Sequence, residues 1–378
     1  MKERIDITVP EEVLARNDEK KERLEKTHRL EPTDRVPVVV DAQLWGMLEG
    51  RGGHFSDMLE GPRQHLRGQI LNHKWRVENV PDDRPIETES ITIESDFGAL
   101  RGVEFPIEII WNDDQPAKSR HLIQKPEEID DLKIPPPDGG LNRRRVEWYE
   151  AMSEMVDDFD VRLNGEPLEI NVDLTHPGGP FPSAFALCGS SLFLWLTTDP
   201  ERVHRLMDIT TRSHLRVIDY FDDITGREHG HPIWVGADAS ELMGPEMYRE
   251  FVVPYYLRLW EEHAYPRTFH NCGDISHILD IIRDDLDVTF LNGFGFPADR
   301  DLMAEELAGE MVLRGGPHPV LINEGPESEI IDTCMAYIRT VGSRGGYILS
   351  EGFGLMPGTP PEHLRAMVEA SKRAGPPL

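Results

Sequence analysis

A single-domain α/β fold, a (β/α)8 TIM barrel, is what this sequence predicts, on three observations. Short apolar runs of strand character alternate with helical stretches from Arg35 almost to the C-terminus, the pattern of a parallel sheet covered by helices. No Gly-x-Gly-x-x-Gly follows the first run and no glycine-rich turn ends in Lys-Ser/Thr, so the phosphate cradle of an open nucleotide-binding sheet is missing. An ionisable side chain stands just past nearly every run, where a barrel gathers its catalytic groups. At 378 residues the chain is within reach of one such barrel with insertions.

The strand-like runs are 36–41, 168–174, 233–237, 267–270, 288–291, 311–314 and 347–350. Helical patterns occupy 57–75, 141–155, 187–196, 200–222, 245–263, 275–283, 300–307, 328–341 and 361–373. Residues 1–34 are polar and charged and read as an N-terminal helical extension, with an exposed helix over 17–26 and the barrel over 35–378. The segment 86–110 breaks the alternation and reads as an antiparallel excursion from an early strand–helix loop. The Pro-rich turn 135–140 reads as a loop before a helix, and no repeat divides the chain.

Lys plus Arg number 40 against 69 Asp plus Glu, a net charge of −29 spread along the chain. Such a surface repels phosphate backbones and anionic membranes, which argues against nucleic-acid and membrane partners. Three cysteines, Cys188, Cys272 and Cys334, cannot all pair and point to a reducing compartment. With no apolar run long enough to cross a bilayer, the expected location is the cytoplasm.

The run Thr268-Phe269-His270-Asn271-Cys272-Gly273-Asp274 is the most informative. In a strand, residues i and i+2 point the same way, so the His270 imidazole and the Cys272 thiolate would converge on one ion. That nitrogen–sulfur pair suits zinc. The plain alternative is a satisfied histidine beside an inert thiol. Other strand ends offer Asp41 with Gln43, Asp173 with His176, Asp238 with Glu241, and then Asn292, His318 and Glu351. Asp173 and Asp238 would equally serve as caps, Asn292 as a turn residue and His318 as a loop residue. Cys188 and Cys334 read as core thiols. There is no Gly-x-Ser-x-Gly, His-Glu-x-x-His or Cys-x-x-Cys.

Taken with Asp34-Arg35-Val36-Pro37-Val38, Gly179-Pro180-Phe181-Pro182-Ser183-Ala184, the segment 244–254 and the ending Gly346-Tyr347-Ile348-Leu349-Ser350-Glu351-Gly352-Phe353-Gly354, these residues carry a likeness. The chain resembles the uroporphyrinogen decarboxylase superfamily over about 35–374, and within it the cobalamin-dependent methyltransferase branch. The resemblance implies an α/β barrel, zinc at His270 and Cys272, and a corrinoid carried by a partner protein. Two positions depart from it. Decarboxylases of the family bind their polycarboxylate through an Arg-rich segment after the first strand, which here reads Val38-Val39-Val40-Asp41-Ala42-Gln43-Leu44-Trp45. The methyltransferases add a second cysteine in the last glycine-rich turn, where this chain has Phe353. A third ligand would then come from Glu351, Asp238, Glu241 or His318, giving a harder, more oxygen-rich site.

Three functions compete on this reading. The favoured one is a methyltransferase moving a methyl group between a small-molecule donor, such as an O-methyl compound, and a corrinoid or corrinoid protein. Asp238, Glu241 and Glu351 are its catalytic candidates, with Asp238 or Glu241 as general acid. Asp41, Asp173, His176, Asn292, His318 and Phe353 are candidates for substrate contacts, and a homodimer is the expected assembly. The second is a metal-free lyase or decarboxylase on a small substrate, with the same carboxylates and His270 as acid–base groups. The third is a non-catalytic scaffold, which the crowding of ionisable groups at strand ends disfavours.

Overall fold

The computed structural model describes residues 2–41, 54–98, 101–112, 117–352, 354–356 and 358–377. In chain order its strands are β1 (Glu3–Ile7), β2 (Ser90–Glu94), β3 (Glu108–Ile110), β4 (Lys118–Arg120), β5 (Phe159–Leu163), β6 (Glu166–Pro167), β7 (Glu169–Asp173), β8 (Trp234–Gly236), β9 (Thr268–His270), β10 (Phe290–Phe294), β11 (Val312–Gly315) and β12 (Tyr347–Leu349). Strands β8 to β12 form one parallel sheet in sequence order, with no reversal that would mark an open doubly wound sheet. Both edges of this sheet are extended. Val38 bridges Leu349 in parallel beside β12, and the Gly236 N–H donates to the Gly178 carbonyl beside β8 at 2.6 Å. Helices connect successive strands, among them Pro200–Thr225 before β8 and Arg300–Leu307 before β11. This is the strand-and-crossover arrangement of a (β/α)8 barrel.

The apolar side chains that the strand and helix patterns placed inward form the main core, including Val38, Val235, Phe269, Leu291, Leu313 and Leu349, all under 2 % exposed. At about 1.5–3 kcal/mol per fully buried aliphatic or aromatic side chain, these positions dominate the stabilisation. Cys188 and Cys334 lie in this core, and burial pushes both thiols up to about 12. Residues 36–40 do not form a full ladder, because carboxylates supply partners along one edge. The Val38 N–H donates to Asp83 Oδ2 at 2.8 Å and the Val40 N–H to Asp82 Oδ2 at 3.1 Å.

Three details differ from the sequence expectation. The N-terminal segment holds a strand as well as the helix Asn17–His28: β1 pairs in parallel with β5, and Ile5 and Ile7 pack with Leu66, Ile91 and Val161 in a second apolar cluster. Antiparallel pairing is confined here to β3 with β4, whereas β2 lies parallel to β7, because Ile91 and Ile93 turn into that second cluster. The helix expected over 187–196 is two, Pro180–Cys188 and Ser191–Thr198, bent by 103° where Gly189 takes φ 63°. No single helix among the described residues is long and apolar enough to cross a membrane.

Candidate active site

The parallel register puts Gly236, His270, Asn292, Arg314 and Ile348 side by side on β8 to β12. His270 ends β9, and the chain leaves the strand at once, so Cys272 stands in the following loop. That loop is pinned by buried Asn271, whose amide donates to the Ala237 carbonyl at 3.1 Å and the Ser240 hydroxyl at 3.3 Å. The partner loop after β8 carries Asp238 and Glu241 and passes through Ala239 at φ 73°. A non-glycine residue in the left-handed region costs about 1–2 kcal/mol, a strain held here by those bonds between the two loops.

The result is a compact donor set. Asp238 Oδ1 lies 3.3 Å from His270 Nε2 and accepts from Cys272 Sγ at 3.2 Å. The three ligand atoms all fall within 4.8 Å of one another. Tetrahedral zinc with bonds of about 2.0–2.3 Å sets its ligands about 3.3–3.8 Å apart, so these residues fit such an ion with little movement. The His270 ring is wedged between Trp234, 5.5 Å away by ring centroids, and the backbone of Gly293. A Cβ at Gly293, where φ is 85°, would come within 2.4 Å of the ring, so glycine alone leaves room for the imidazole.

Charge is unevenly shared across the set. Burial opposes ionisation of Asp238, but His270, Arg101 and Cys272 outweigh it and hold its carboxyl well below the usual range. Arg101 pairs with the outer oxygen, Oδ2, leaving Oδ1 to face His270 and Cys272. Burial pushes the Cys272 thiol up, and the charges of Asp238 and Glu241 push it further. A bound divalent cation would reverse that balance and take the thiolate. Glu241 lies against Gly273, its Oε2 is buried without a hydrogen-bond partner, and burial followed by the Asp238 charge raises its carboxyl. It is therefore a carboxyl suited to holding a proton beside the donor set.

Glu351 and Asp41 belong to a neighbouring group. The Asp41 N–H donates to both Glu351 oxygens at 2.9 and 3.1 Å, and Arg314 and Arg84 stand 3.5 and 3.8 Å from the Asp41 carboxylate. No hydrogen bond or ion pair among the described residues joins this group to His270. Burial and then the Asp41 charge raise Glu351 to about 7. Because its folded value exceeds the ordinary 4.5, the contribution to stability is present at low pH and lost as pH climbs through 7. That loss is on the order of 3 kcal/mol, and Glu351→Gln is expected to flatten it. Urea unfolding at pH 5 and pH 7.5 checks this, and an unchanged slope in the variant would refute it.

The remaining sequence candidates fall elsewhere. Asn292 sits beside His270 in the sheet. His318 caps the helix Pro319–Glu324, its Nδ1 accepting from the Val320 N–H at 3.0 Å, and its ring lies 3.7 Å from that of Phe296. Asp173 and His176 meet Arg227, Asp222 and His231 rather than the His270 group. Gln43 and Phe353 lie outside the described residues. Sequence reasoning missed Arg101, for which no pattern gives a signal, and Arg314, whose signal was a lone arginine ending an apolar strand. A cavity of about 700 Å³, lined in part by Arg16, Lys20, Arg76, Arg84 and Lys372, includes none of the His270 group.

The uroporphyrinogen decarboxylase (URO-D) family pattern matches residues 19–374. Relatives include a methylated-thiol--coenzyme M methyltransferase of Methanosarcina mazei, 27 % identical over 198 residues, the match covering 51 % of each chain. A uroporphyrinogen decarboxylase of Anaeromyxobacter is also 27 % identical, with 51 % of this chain and 56 % of the relative matched. The chain thus spans about half the length of these two. It spans 97 % of methylcobamide:CoM methyltransferase MtbA of Methanosarcina acetivorans, at 24 % identity over 93 % of this chain. Among solved structures, a methyltransferase from Methanosarcina mazei superimposes with a TM-score of 0.63 at 18 % identity, over 94 % of this chain and 98 % of that one. The fold is the (β/α)8 barrel of these proteins, and the chain belongs to the uroporphyrinogen decarboxylase family.

Proposed function

We propose that this chain is a methyltransferase that moves a methyl group between a small-molecule donor and a corrinoid carried by a partner protein, with a zinc-class ion held by Asp238, His270 and Cys272. The observation that carries the reading is the convergence of one carboxylate, one imidazole and one thiol, with Asp238 Oδ1 3.3 and 3.2 Å from the other two and all three within 4.8 Å of one another. Two coenzyme M methyltransferases among the relatives support the methyl-transfer chemistry. Asp238 supplies a third donor from the loop after β8, where the methyltransferase branch draws its third ligand from a cysteine at the position of Phe353, and so gives a harder set that favours an oxygen or nitrogen leaving group over thiol activation.

An ion bound there would act as a Lewis acid or lower the pKa of a bound nucleophile. The protein's own residues do the rest. Glu241, its carboxyl raised by burial, stands beside the set to protonate the leaving group. Arg101, paired with the outer oxygen of Asp238, holds that carboxylate with Oδ1 toward His270 and Cys272 and places a fixed positive charge beside the set for an anionic group on the donor. The bonds of buried Asn271 between the loops after β8 and β9 hold the geometry.

The reading is tested by transfer of a methyl group from candidate O-methyl, N-methyl and S-methyl donors to free cob(I)alamin, followed by the cofactor's colour. Glu241→Gln is expected to lower turnover by about 10²–10⁴-fold with bound metal unchanged. Equal turnover in Glu241→Gln would remove it as the acid, and no transfer from any donor would favour the decarboxylase-like alternative.

A further inference from the structure

His231 precedes β8 and Asp238 follows it, so a second group of ligand-type side chains lies at the opposite end of that strand. It joins His176, Asp222 in the last turns of the helix Pro200–Thr225, and His231. Their ligand atoms fall within 4.8 Å of one another. His176 Nε2 and His231 Nε2 stand 3.1 and 3.2 Å from the same oxygen, Asp222 Oδ1. Asp222 is fully buried, and its Oδ2, also 3.2 Å from His231 Nε2, makes no hydrogen bond.

Two features set this group apart from an ordinary ion-pair cluster. First, His231 Nδ1 is 2.8 Å from the Pro232 carbonyl and donates its hydrogen there, which turns Nε2 toward Asp222. That outer bond to a backbone carbonyl is the usual way an imidazole is oriented for a metal. Second, His176 Nε2 lies 2.6 Å from the Arg227 guanidinium and 3.1 Å from Asp222 Oδ1. One nitrogen cannot accept from the arginine and donate to the carboxylate, so one contact is unsatisfied whichever tautomer is present.

We propose that His176, Asp222 and His231 form a second divalent-metal site, of the two-imidazole, one-carboxylate type that suits zinc and its neighbours in the first transition row. A cation among the three takes both Nε2 lone pairs and the buried carboxylate. Arg227 then leaves His176 and Asp222 Oδ1, which it reaches at 3.3 Å, and keeps its bond to Asp173, 2.5 Å away. The ion joins the end of the long helix to the start of β8, a structural role separate from the His270 group and independent of the function proposed above.

The test is a Co²⁺ titration of the full chain after chelation, following bound metal, visible absorption and the thermal midpoint. The wild type is expected to bind two ions. The His270→Ala/Cys272→Ser variant is expected to keep one, without a sulfur-to-cobalt band, and to gain thermal stability as Co²⁺ rises. In that background His231→Gln should weaken binding at least about tenfold, and Arg227→Gln should tighten it by removing the competing cation. His231 is partly exposed at the surface, so its variant serves if Asp222→Asn does not fold. No ion bound in the His270→Ala/Cys272→Ser background, or binding unmoved by His231→Gln, would overturn the proposal. So would an Arg227→Gln protein that is destabilised and not rescued by metal, which would make the group an ion-pair cluster.

Discussion

On the proposed function, replacing Cys272 with serine is expected to abolish both ion binding at the His270 group and methyl transfer. A neutral hydroxyl is a far weaker zinc ligand than a thiolate, and removing even an outer partner of a ligand lowers metal affinity by about 10–100-fold. Loss of the sulfur itself should cost at least about 100-fold by the same scale. His270→Ala should behave alike, since it takes away the imidazole 3.3 Å from Asp238 Oδ1. Cys334→Ser is the control: that thiol is buried within the helix Glu327–Thr340, and metal content and turnover per folded molecule should not move. Metal analysis of each purified variant beside its transfer rate checks the pair. Retained metal with lost turnover would assign Cys272 to the chemistry instead.

Asp83→Ala carries the largest expected loss of stability. The Asp83 side chain is 3 % exposed and accepts from Arg23 at 2.8 Å, from Arg35 at 2.5 and 2.7 Å, and from the Val38 N–H at 2.8 Å. Truncation leaves the Arg35 guanidinium and a strand amide without their carboxylate, while Arg23 keeps its pair with Asp34, a change worth about 3–5 kcal/mol when a buried pair is broken on one side. It also unties the first barrel strand from the helix Asn17–His28, to which Arg23 belongs. Urea unfolding gives the measurement, and a loss under about 1 kcal/mol would mean that solvent already shares these charges.

Barrel strands were legible where apolar residues run without alternation, as in 233–237 and 347–350, because parallel strands are buried on both faces. The helix Arg300–Leu307 matches its sequence pattern to the residue. Strand β1 was not seen, although Ile5 and Ile7 alternate with Arg4 and Asp6, because five residues of half-charged sequence carry little signal without their partner β5. Of the site, His270 and Cys272 announced themselves by spacing and Asp238 by its place after β8. The link of Asp173 and His176 to Asp222 and His231 was hidden, since it depends on where the end of a 26-residue helix lands. Arg101 reaches Asp238 across 137 residues of sequence, a contact only the fold creates.

The most direct measurement on the His270 group is the near-ultraviolet absorption of the Co²⁺-loaded protein. A thiolate bound to cobalt gives a sulfur-to-metal charge-transfer band, and a site built from imidazoles and carboxylates alone does not. The expected result is a band in the wild type that persists in His231→Gln, disappears in Cys272→Ser, and shifts in Asp238→Asn as the third donor is exchanged. A wild type without the band, or a Cys272→Ser variant that keeps it, would contradict an ion held by Asp238, His270 and Cys272.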